Sequence, residues 1–532
     1  MLTTKRSSRG IVTAPHHLAS EAGLDILRHG GTAIEAGVAM AASLTVVYPQ
    51  MNSIGGDGFW LIAEPGKEPV AIDACGAAAA AADLAYYRAA GCAAIPWRGA
   101  LAANTVAGAI SGWDAALELN VKWGGALPLS RLLHDAIEFA RDGVPVADGM
   151  AALLDAKSRE LSNFTDFASI FLAADGSPLR PGQRFRQPQL ALTLERLAAE
   201  GLDSFYRGSL AQSIAADLRR FNAPLTLDDL ARHRAQWRKP LLADLKIARL
   251  YNFPPPTQGL ASLLILALFE RLEVGEAESF AHINGLIEAT KRAFLVRDRE
   301  VGDPVFMTLD PQALLDDVAT LETWAAEIAA TNTARPWSAE PAAGDTVWFG
   351  AIDRAGRAVS VIQSTYFEFG SGLVLPETGI TWQNRGSSFR LAEDGWNALR
   401  PGRKPFHTLN PAMASFRDGR LMVYGTMGGE GQPQTQAAIF SRYALFGQGL
   451  QQAVTAPRWL LGRTWGEESS SLKLEDRFPD SVVAALREAG HVVEIVPAFS
   501  DLMGHAGALV RHPDGVLEGA SDPRSDGAVA AW

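Results

Sequence analysis

Thr346 stands at a position where a threonine hydroxyl could act as a nucleophile. It lies near the start of GDTVWFGAIDRAGRAVSVIQS (residues 344–364), whose pattern predicts a β-hairpin with strands over 346–352 and 357–363. A hydroxyl attacks only when a base takes its proton, and a threonine's own α-amine can be that base once the bond to Asp345 is cut. The pKa of a free α-amine, about 7.7–8.0, suits proton transfer near neutrality. A threonine that only favours strand formation is the alternative.

The sequence before Thr346 has the composition of a linker. TNTARPWSAEPAAG (residues 331–344) is polar and rich in proline and alanine. A loose segment that ends at Asp345 is what cleavage between Asp345 and Thr346 would need. Motifs for other chemistries are missing: there is no G-x-S-x-G elbow, Walker A loop, H-E-x-x-H helix or EF-hand loop. The histidines have no metal-site spacing, so neither a metal nor another cofactor is expected.

Composition narrows the class of protein further. The 532 residues carry a formal charge of −11, with 48% hydrophobic and 20% charged residues, which predicts a well-packed globule of two domains or one large layered domain. The acidic balance argues against a nucleic-acid or anionic-membrane partner. Cys75 and Cys92 are too few for a disulfide framework. With no signal peptide and no run of about 18 apolar residues, we expect a cytoplasmic protein.

Helical periodicity dominates the first half of the chain, and short strands separated by glycine turns follow Thr346. This order predicts an α+β sandwich in which helices pack outside antiparallel strands. HVVEIVP (residues 491–497) and AGALVRH (residues 506–512) are predicted to form a last strand pair.

An ordered series of segments resembles the γ-glutamyltransferase family of N-terminal-nucleophile hydrolases, from about residue 9 to the end. The similar segments are RGIVTAPHHLASEAGLDILRHGGTAIEAGVA, NSIGGDGFWLI, FYRGSLA, LTLDDL, PPPTQGL, RDREVGDP, the hairpin that contains Thr346, FGSG, MGG, APRW and DPRSDG. The resemblance implies an αββα sandwich made as a proenzyme that cleaves itself between Asp345 and Thr346. It also implies that the two pieces, residues 1–345 and 346–532, remain associated as a heterodimer, with further oligomerisation left open.

The same resemblance implies roles for four residues. Thr346 would attack an amide carbonyl, and Ser364 lies where the family has a second hydroxyl that hydrogen-bonds the nucleophile. Gly428 and Gly429 correspond to the glycine pair whose backbone N–H groups hold the oxyanion, a task that glycine suits because no side chain blocks the carbonyl oxygen. The alternatives are that Ser364 is a strand residue facing solvent and that the glycines form only a turn.

The residues that read glutamate in typical members are replaced in this sequence. An arginine that binds the α-carboxylate corresponds to Cys75, and the acidic residue for the α-amine corresponds to Ser388, while Arg385 adds a cation nearby. A serine pair is replaced by His407 and Thr408, and an asparagine near the nucleophile by Tyr366.

These changes predict a site for a small anionic amide. We expect the substrate carboxylate to meet Arg385, with help from His407, and the amide to face Thr346. A solvated loop arginine and a structural histidine are the alternatives for these two residues. The QNRGSSF, PFHTLNPA and GTMGGEGQPQTQ stretches most resemble the family branch that hydrolyses oxamate to oxalate and ammonia in the breakdown of purine-ring nitrogen. Open alternatives are γ-glutamyl transfer or glutathione hydrolysis, a glutaryl-type acylase, and a family member that does not cleave and serves as a binding protein.

Overall fold

The computed structural model describes residues 3–331, 333–336, 345–462 and 471–532. Most of the predicted linker before Thr346, residues 337–344, therefore lies outside the described residues, as does the side chain of Asp345.

Two seven-stranded antiparallel sheets form the centre of the molecule. Sheet I runs in the order β19 (Ala528–Ala531), β2 (Ile11–Ala14), β10 (Asp345–Ile352), β11 (Ala358–Tyr366), β3 (Asp57–Ala63), β4 (Val70–Ala74) and β7 (Gln236–Arg238). Sheet II runs in the order β1 (Lys5–Ser7), β18 (Leu517–Ser521), β17 (Ala506–Arg511), β13 (Leu421–Thr426), β12 (Ala412–Phe416), β9 (Ala248–Asn252) and β8 (Leu241–Asp244). Smaller sheets contain β14 (Trp459–Leu461), β15 (Leu472–Glu475) and β16 (Val493–Val496), and β5 (Val144–Pro145) with β6 (Arg184–Phe185).

Helices cover the outer face of each large sheet. Those that share a core with sheet I are α1 (His17–Arg28), α2 (Ala33–Val47), α3 (Leu84–Ala89), α4 (Ala109–Lys122), α5 (Leu129–Leu132), α6 (His134–Asp142), α7 (Asp148–Leu161), α8 (Thr165–Phe171), α9 (Pro188–Glu200), α10 (Ser204–Arg207), α11 (Ser209–Arg220) and α12 (Leu227–Arg232). Those that share a core with sheet II are α13 (Gly259–Arg271), α14 (Phe280–Glu300), α15 (Pro311–Asp316), α16 (Val318–Ala329), α17 (Gln432–Phe440), α18 (Leu450–Thr455) and α19 (Asp480–Glu488). A third core lies between the sheets. The layers are thus helix, sheet, sheet and helix, which confirms the predicted αββα sandwich.

The predicted hairpin after Thr346 is confirmed as β10 and β11, and its side chains alternate between two cores. Phe349 faces the helices outside sheet I, whereas Trp348 and Ile352 pack between the two sheets. Burial on both faces explains the nearly continuous apolar run of this hairpin. Because strands from both sides of residue 345 occur in each large sheet, the two predicted pieces would share both sheets after cleavage.

The predicted last strand pair is wrong. β16 pairs in parallel with β15, and β17 lies in sheet II between β13 and β18. The two strands differ in burial: β16 is half exposed, while β17 is buried along nearly all its length. A half-exposed strand such as β16 fits a small sheet at the surface, whereas a buried strand such as β17 fits the middle of a large sheet. The pairing therefore follows burial and not nearness in sequence.

Candidate active site

Thr346 and Ser364 lie next to each other where β10 and β11 meet. Asp345 pairs with Tyr366 and Val347 with Gln363, and the irregularity between these pairs places Thr346 opposite the segment that contains Ser364. Thr346 is fully buried and Ser364 is 2% exposed, so Ser364 does not face solvent. Its hydroxyl accepts a hydrogen bond from the backbone N–H of Tyr366 at 2.8 Å. The two predicted hydroxyl residues are therefore brought together.

The predicted oxyanion glycines form the turn between β13 and α17. Gly428 and Gly429 have φ angles of 114° and 51°, in the left-handed region that favours glycine. A Cβ atom on Gly428 would approach the Cα of Gly504 to 3.2 Å. Both conformation and space therefore restrict this position to glycine.

A network of buried hydrogen bonds fixes the turn that contains Gly428 and Gly429. The side-chain amide of Gln258 donates to the carbonyl oxygens of Gly429 at 2.8 Å and Thr408 at 2.7 Å. Arg297, in the last turn of the long helix α14, donates to Gln258 Oε1 at 3.0 Å and pairs with Glu430 at 3.2 Å. Since all these groups are buried, the network fixes the turn against the loop that contains Thr408.

Gln432 joins the glycine turn to Thr346. It is the first residue of α17, and its Nε2 donates to Thr346 Oγ1 at 3.2 Å. Its Oε1 accepts from the backbone N–H of Asn410 at 3.2 Å, which fixes the amide orientation. The sequence prediction did not include this residue, although its position three residues after Gly429 could have drawn attention to it.

We expect Gln432→Glu to lower kcat about 10²-fold, because a carboxylate cannot donate to Thr346 Oγ1 and repels the negative charge that develops during attack. The helix should tolerate the change, since an acidic residue is favourable at a helix N-terminus. Gln434→Glu, two residues further along α17, is the matched control and should leave kcat within about threefold of wild type. Steady-state kinetics on folded protein of each variant tests the prediction, and an equal loss in both variants would contradict it.

Arg385 is a buried cation with unused hydrogen-bond donors. It is 1% exposed, so it is not the solvated loop arginine of the alternative interpretation. Its guanidinium carbon lies 3.7 Å from the ring centroid of Tyr366, and Nη2 is 3.5 Å from Thr408 Oγ1. Nε and Nη1 have no hydrogen-bond partner among the described residues. Burial lowers the pKa of Arg385 to about 10, so the group remains charged at neutral pH.

Tyr366 is held in an unusual backbone conformation at the end of β11. Its φ angle is 85°, which is uncommon for a residue with a side chain and is found where the surroundings impose it. The ring is buried and packs against Phe367 at a centroid distance of 4.5 Å. This conformation places the tyrosine face under Arg385, one strand away from Thr346.

His407 is a neutral, fully buried histidine that contacts Asp57. Its Nε2 lies 3.1 Å from Asp57 Oδ2, and Nδ1 has no hydrogen-bond partner in the described part of the chain. Burial, followed by the charges of Arg385 and Lys404, holds the pKa of His407 well below its usual range. Asp57 was missed by the sequence prediction; the signal was an acidic residue directly before the apolar run GFWLIA.

In the family that the sequence resembles, two charged residues bind the glutamate substrate. The residues at those two positions here, Cys75 and Ser388, are uncharged. Cys75 is buried, and burial raises the pKa of its thiol well above the usual value, so the thiol is neutral. Ser388 Oγ has no hydrogen-bond partner among the described residues. Burial raises the pKa of the Asp57 carboxyl group, and Arg385 lies near enough to this group to lower it.

No group of three or more His, Cys, Asp or Glu side chains is arranged to hold a metal ion within residues 3–331, 333–336, 345–462 and 471–532. None of the described helices combines the length and apolar character needed to cross a membrane.

Comparison with known proteins agrees with this architecture. The family model for gamma-glutamyltranspeptidase matches residues 19–532. The oxamate amidohydrolase proenzyme of Klebsiella pneumoniae is 53% identical over 533 residues and covers 100% of both chains. The glutathione hydrolase-like YwrD proenzyme of Bacillus subtilis is 40% identical and covers 98% of both chains. Cephalosporin acylase from Bacillus halodurans superimposes with a TM-score of 0.91 at 32% identity, covering 100% of this chain and 97% of the acylase.

The αββα fold and these relatives identify an enzyme of the N-terminal-nucleophile hydrolase class. Within that class, the chain belongs to the gamma-glutamyltranspeptidase family, which confirms the resemblance found in the sequence.

Proposed function

We propose that this protein is a self-processing amidohydrolase that hydrolyses a small anionic amide, oxamate, to oxalate and ammonia. The observation that carries the proposal is the buried guanidinium of Arg385, which has two donors without a partner among the described residues and lies beside the strand pair that contains Thr346. The 53% identity to an oxamate amidohydrolase proenzyme over the full chain supports the same reaction.

Processing is the first step of the proposed mechanism. The chain would be cut between Asp345 and Thr346, giving residues 1–345 and 346–532 as a heterodimer held by both sheets. Cleavage frees the α-amine of Thr346, which then serves as the base for the residue's own hydroxyl. Ser364 and Gln432 would orient that hydroxyl, since Ser364 lies opposite Thr346 and Gln432 donates to its oxygen.

Acyl transfer would follow in two halves. Thr346 Oγ1 attacks the amide carbon, and the oxyanion is held by the backbone N–H groups of Gly428 and Gly429. The α-amine returns its proton to the leaving nitrogen, so ammonia departs and an oxalyl ester remains on Thr346. The same amine then deprotonates water, which attacks the ester carbon; the bond to Thr346 Oγ1 breaks, the amine returns the proton to Oγ1, and oxalate is released.

Substrate choice would rest on charge. Oxamate places its carboxylate directly beside its amide, so one cation near the nucleophile is enough to bind it. Arg385 would form the ion pair with Nε and Nη1, which have no partner among the described residues, while His407 and Thr408 line the same side. A γ-glutamyl substrate also has an α-amine that needs a negative partner, and the expected position for that partner is Ser388.

Ammonia release from oxamate and from oxamide by the processed enzyme tests this proposal. The two compounds carry the same amide, but oxamide lacks the carboxylate and would leave Arg385 unpaired. We expect kcat/KM for oxamide to be about 10²–10⁴-fold lower, the penalty typical of a site whose buried polar group loses its partner.

A chromogenic γ-glutamyl anilide and a glutaryl amide complete the experiment, because γ-glutamyl transfer and glutaryl acylase activity are the competing functions. Oxamate should be the preferred substrate. Turnover of either longer acyl group with no oxamate hydrolysis would contradict the proposal that oxamate is the substrate. It would not contradict the proposal that Thr346 is the nucleophile. An intact chain that binds these compounds without turnover would indicate a binding protein instead.

A further inference from the structure

Asp57 has a buried carboxyl group, and this group has no role in the proposed mechanism. It is the first residue of β3, it is fully buried, and it is paired in register with Ser364 on β11. A carboxyl group in such a position needs hydrogen bonds and a balancing charge, and the surrounding residues supply both.

The two oxygens of Asp57 have different surroundings. Oδ1 accepts three hydrogen bonds, from Gly76 N at 3.0 Å, Gly108 N at 3.1 Å and Gln383 Nε2 at 3.2 Å. Oδ2 faces His407 Nε2 at 3.1 Å. Because Oδ1 is occupied by donors, a proton on this carboxyl group belongs on Oδ2, between Asp57 and His407.

Arg385 balances the charge of Asp57 without forming a short ion pair with it. The guanidinium lowers the pKa of the carboxyl group, and the carboxylate raises that of the guanidinium. Arg385 nevertheless keeps Nε and Nη1 without partners among the described residues. Arg385 and Asp57 thus carry opposite charges in this cluster, and Nη2 is the only guanidinium nitrogen with a hydrogen-bond acceptor, Thr408 Oγ1, among the described residues.

Asp57 titrates near neutrality, as does the free α-amine of Thr346 in the processed enzyme, whose pKa is about 7.7–8.0. Burial raises the pKa of its carboxyl group to about 7, although the Gly76 hydrogen bond and Arg385 oppose this. The titratable or charged groups around it are Arg385, His407, Cys75 and Tyr206, with Lys404 acting on His407 and Cys75. Burial keeps His407 neutral by lowering its pKa and keeps Cys75 and Tyr206 neutral by raising theirs.

We propose that Asp57 is a positioning residue that balances Arg385 in the empty site and releases it to the substrate carboxylate by taking up a proton from solvent. The inference rests on the proposed function, since it requires a carboxylate to bind Arg385. A bound carboxylate adds a second negative charge next to the guanidinium, and two carboxylates beside one cation are unfavourable unless one becomes protonated.

The proton balance of this step is simple. In the empty site the Asp57 carboxylate accepts from Nε2–H of neutral His407. On binding, one proton enters from water: Asp57 Oδ2–H then donates to Nε2, and His407 carries its own proton on Nδ1. The imidazole remains neutral throughout, and Nδ1, which is buried without a partner among the described residues, becomes a donor for the bound anion.

Calorimetric titration of the processed wild-type enzyme with oxalate tests the proposal directly. Titrations in buffers of different ionisation enthalpy give the number of protons taken up on binding. We expect close to one proton at pH 8, where Asp57 of the empty site is ionised, and almost none at pH 6, where it is already protonated. Binding of oxalate with no proton uptake at pH 8 would overturn the proposal, and so would failure of oxalate to bind.

Asp57→Asn supplies the kinetic test. We expect the wild-type KM for oxamate to rise about tenfold per pH unit above about pH 7, and the KM of the variant to stay constant from pH 6 to 9. At pH 9 the variant should therefore bind oxamate about 10- to 100-fold more tightly than wild type. Asp353→Asn, which changes a buried aspartate at the far turn of the β10–β11 hairpin, should keep the wild-type pH slope.

A purely structural role for Asp57 would give a different result: lower melting temperature and lower kcat with the pH slope of KM retained. If Asp57→Asn does not fold, the pH dependence of proton uptake in wild type still decides the question: half-maximal uptake at about pH 7 assigns the proton to Asp57, and at about pH 7.7–8.0 to the α-amine of Thr346. Proton uptake with oxalate in an enzyme that does not hydrolyse oxamate would refute the proposed function and leave the role of Asp57 standing. Oxamate hydrolysis with no proton uptake on oxalate binding would refute the role of Asp57 and leave the proposed function standing.

Discussion

Thr346→Ala is expected to remain a single chain and to lose amide hydrolysis by about 10⁴-fold or more, the scale of loss when a nucleophile is removed. Wild type should instead give two fragments, residues 1–345 and 346–532, of 345 and 532 − 345 = 187 residues. The physical reason is that one hydroxyl would carry both reactions, first on the Asp345–Thr346 bond and then on substrate. A denaturing gel and the mass of the smaller fragment provide the measurement.

Two further variants separate the nucleophile from general damage to the fold. Thr346→Ser keeps a hydroxyl and an α-amine, so it should still be cleaved, more slowly, and retain part of the activity. Thr365→Ala removes a second fully buried threonine hydroxyl from the adjoining strand and should be cleaved as wild type is. Cleavage at 345/346 in Thr346→Ala, or full activity of an uncut wild-type chain, would contradict the assignment of Thr346.

Much of the fold could be predicted because local patterns determine it. Alternating apolar residues and the Asp353–Gly356 turn specify the β10–β11 hairpin, and that hairpin alone brings Thr346 near Ser364. The pairing of β16 could not be predicted in the same way. Its partner, β15, is joined to it through α19, so the choice depends on which surface each strand buries and not on neighbouring residues.

Residues of the site could be predicted from the sequence only where the residues that act together are close together in one segment. Gly428 and Gly429 are adjacent, and their positive φ angles follow from residue type. Asp57 and His407 are 350 positions apart, and Gln432 and Thr346 are 86 apart, so no spacing rule connects either pair. The burial of Arg385 was equally hidden, because its local sequence, QNRGSSF, is as polar as an exposed loop.

Two donors of Arg385, Nε and Nη1, have no partner in the part of the chain that the structure describes, and this affects stability. A buried cation without a close anion costs free energy of folding, and this cost is reduced only when an anion binds. Arg385 is therefore expected to lower the stability of the empty enzyme while providing affinity for the substrate, a compromise common in binding sites. Arg297 differs from it because its buried guanidinium is paired with Glu430 at 3.2 Å and with Asp298 at 2.6 Å.

Arg385→Met is accordingly expected to lower kcat/KM for oxamate by about 10²–10³-fold, the effect of truncating one partner of a buried charged hydrogen-bond pair. Turnover of neutral oxamide should change far less, because oxamide makes no ion pair.

The melting temperature of Arg385→Met at pH 6, where Asp57 is protonated, should stay the same or rise. Arg297→Met is the matched control: it removes a buried guanidinium that is ion-paired with Glu430 at 3.2 Å, so it should lower the free energy of unfolding by about 3–5 kcal/mol. Equal losses on oxamate and oxamide in Arg385→Met, or destabilisation similar to that of Arg297→Met, would show that Arg385 supports the fold and does not select the anion.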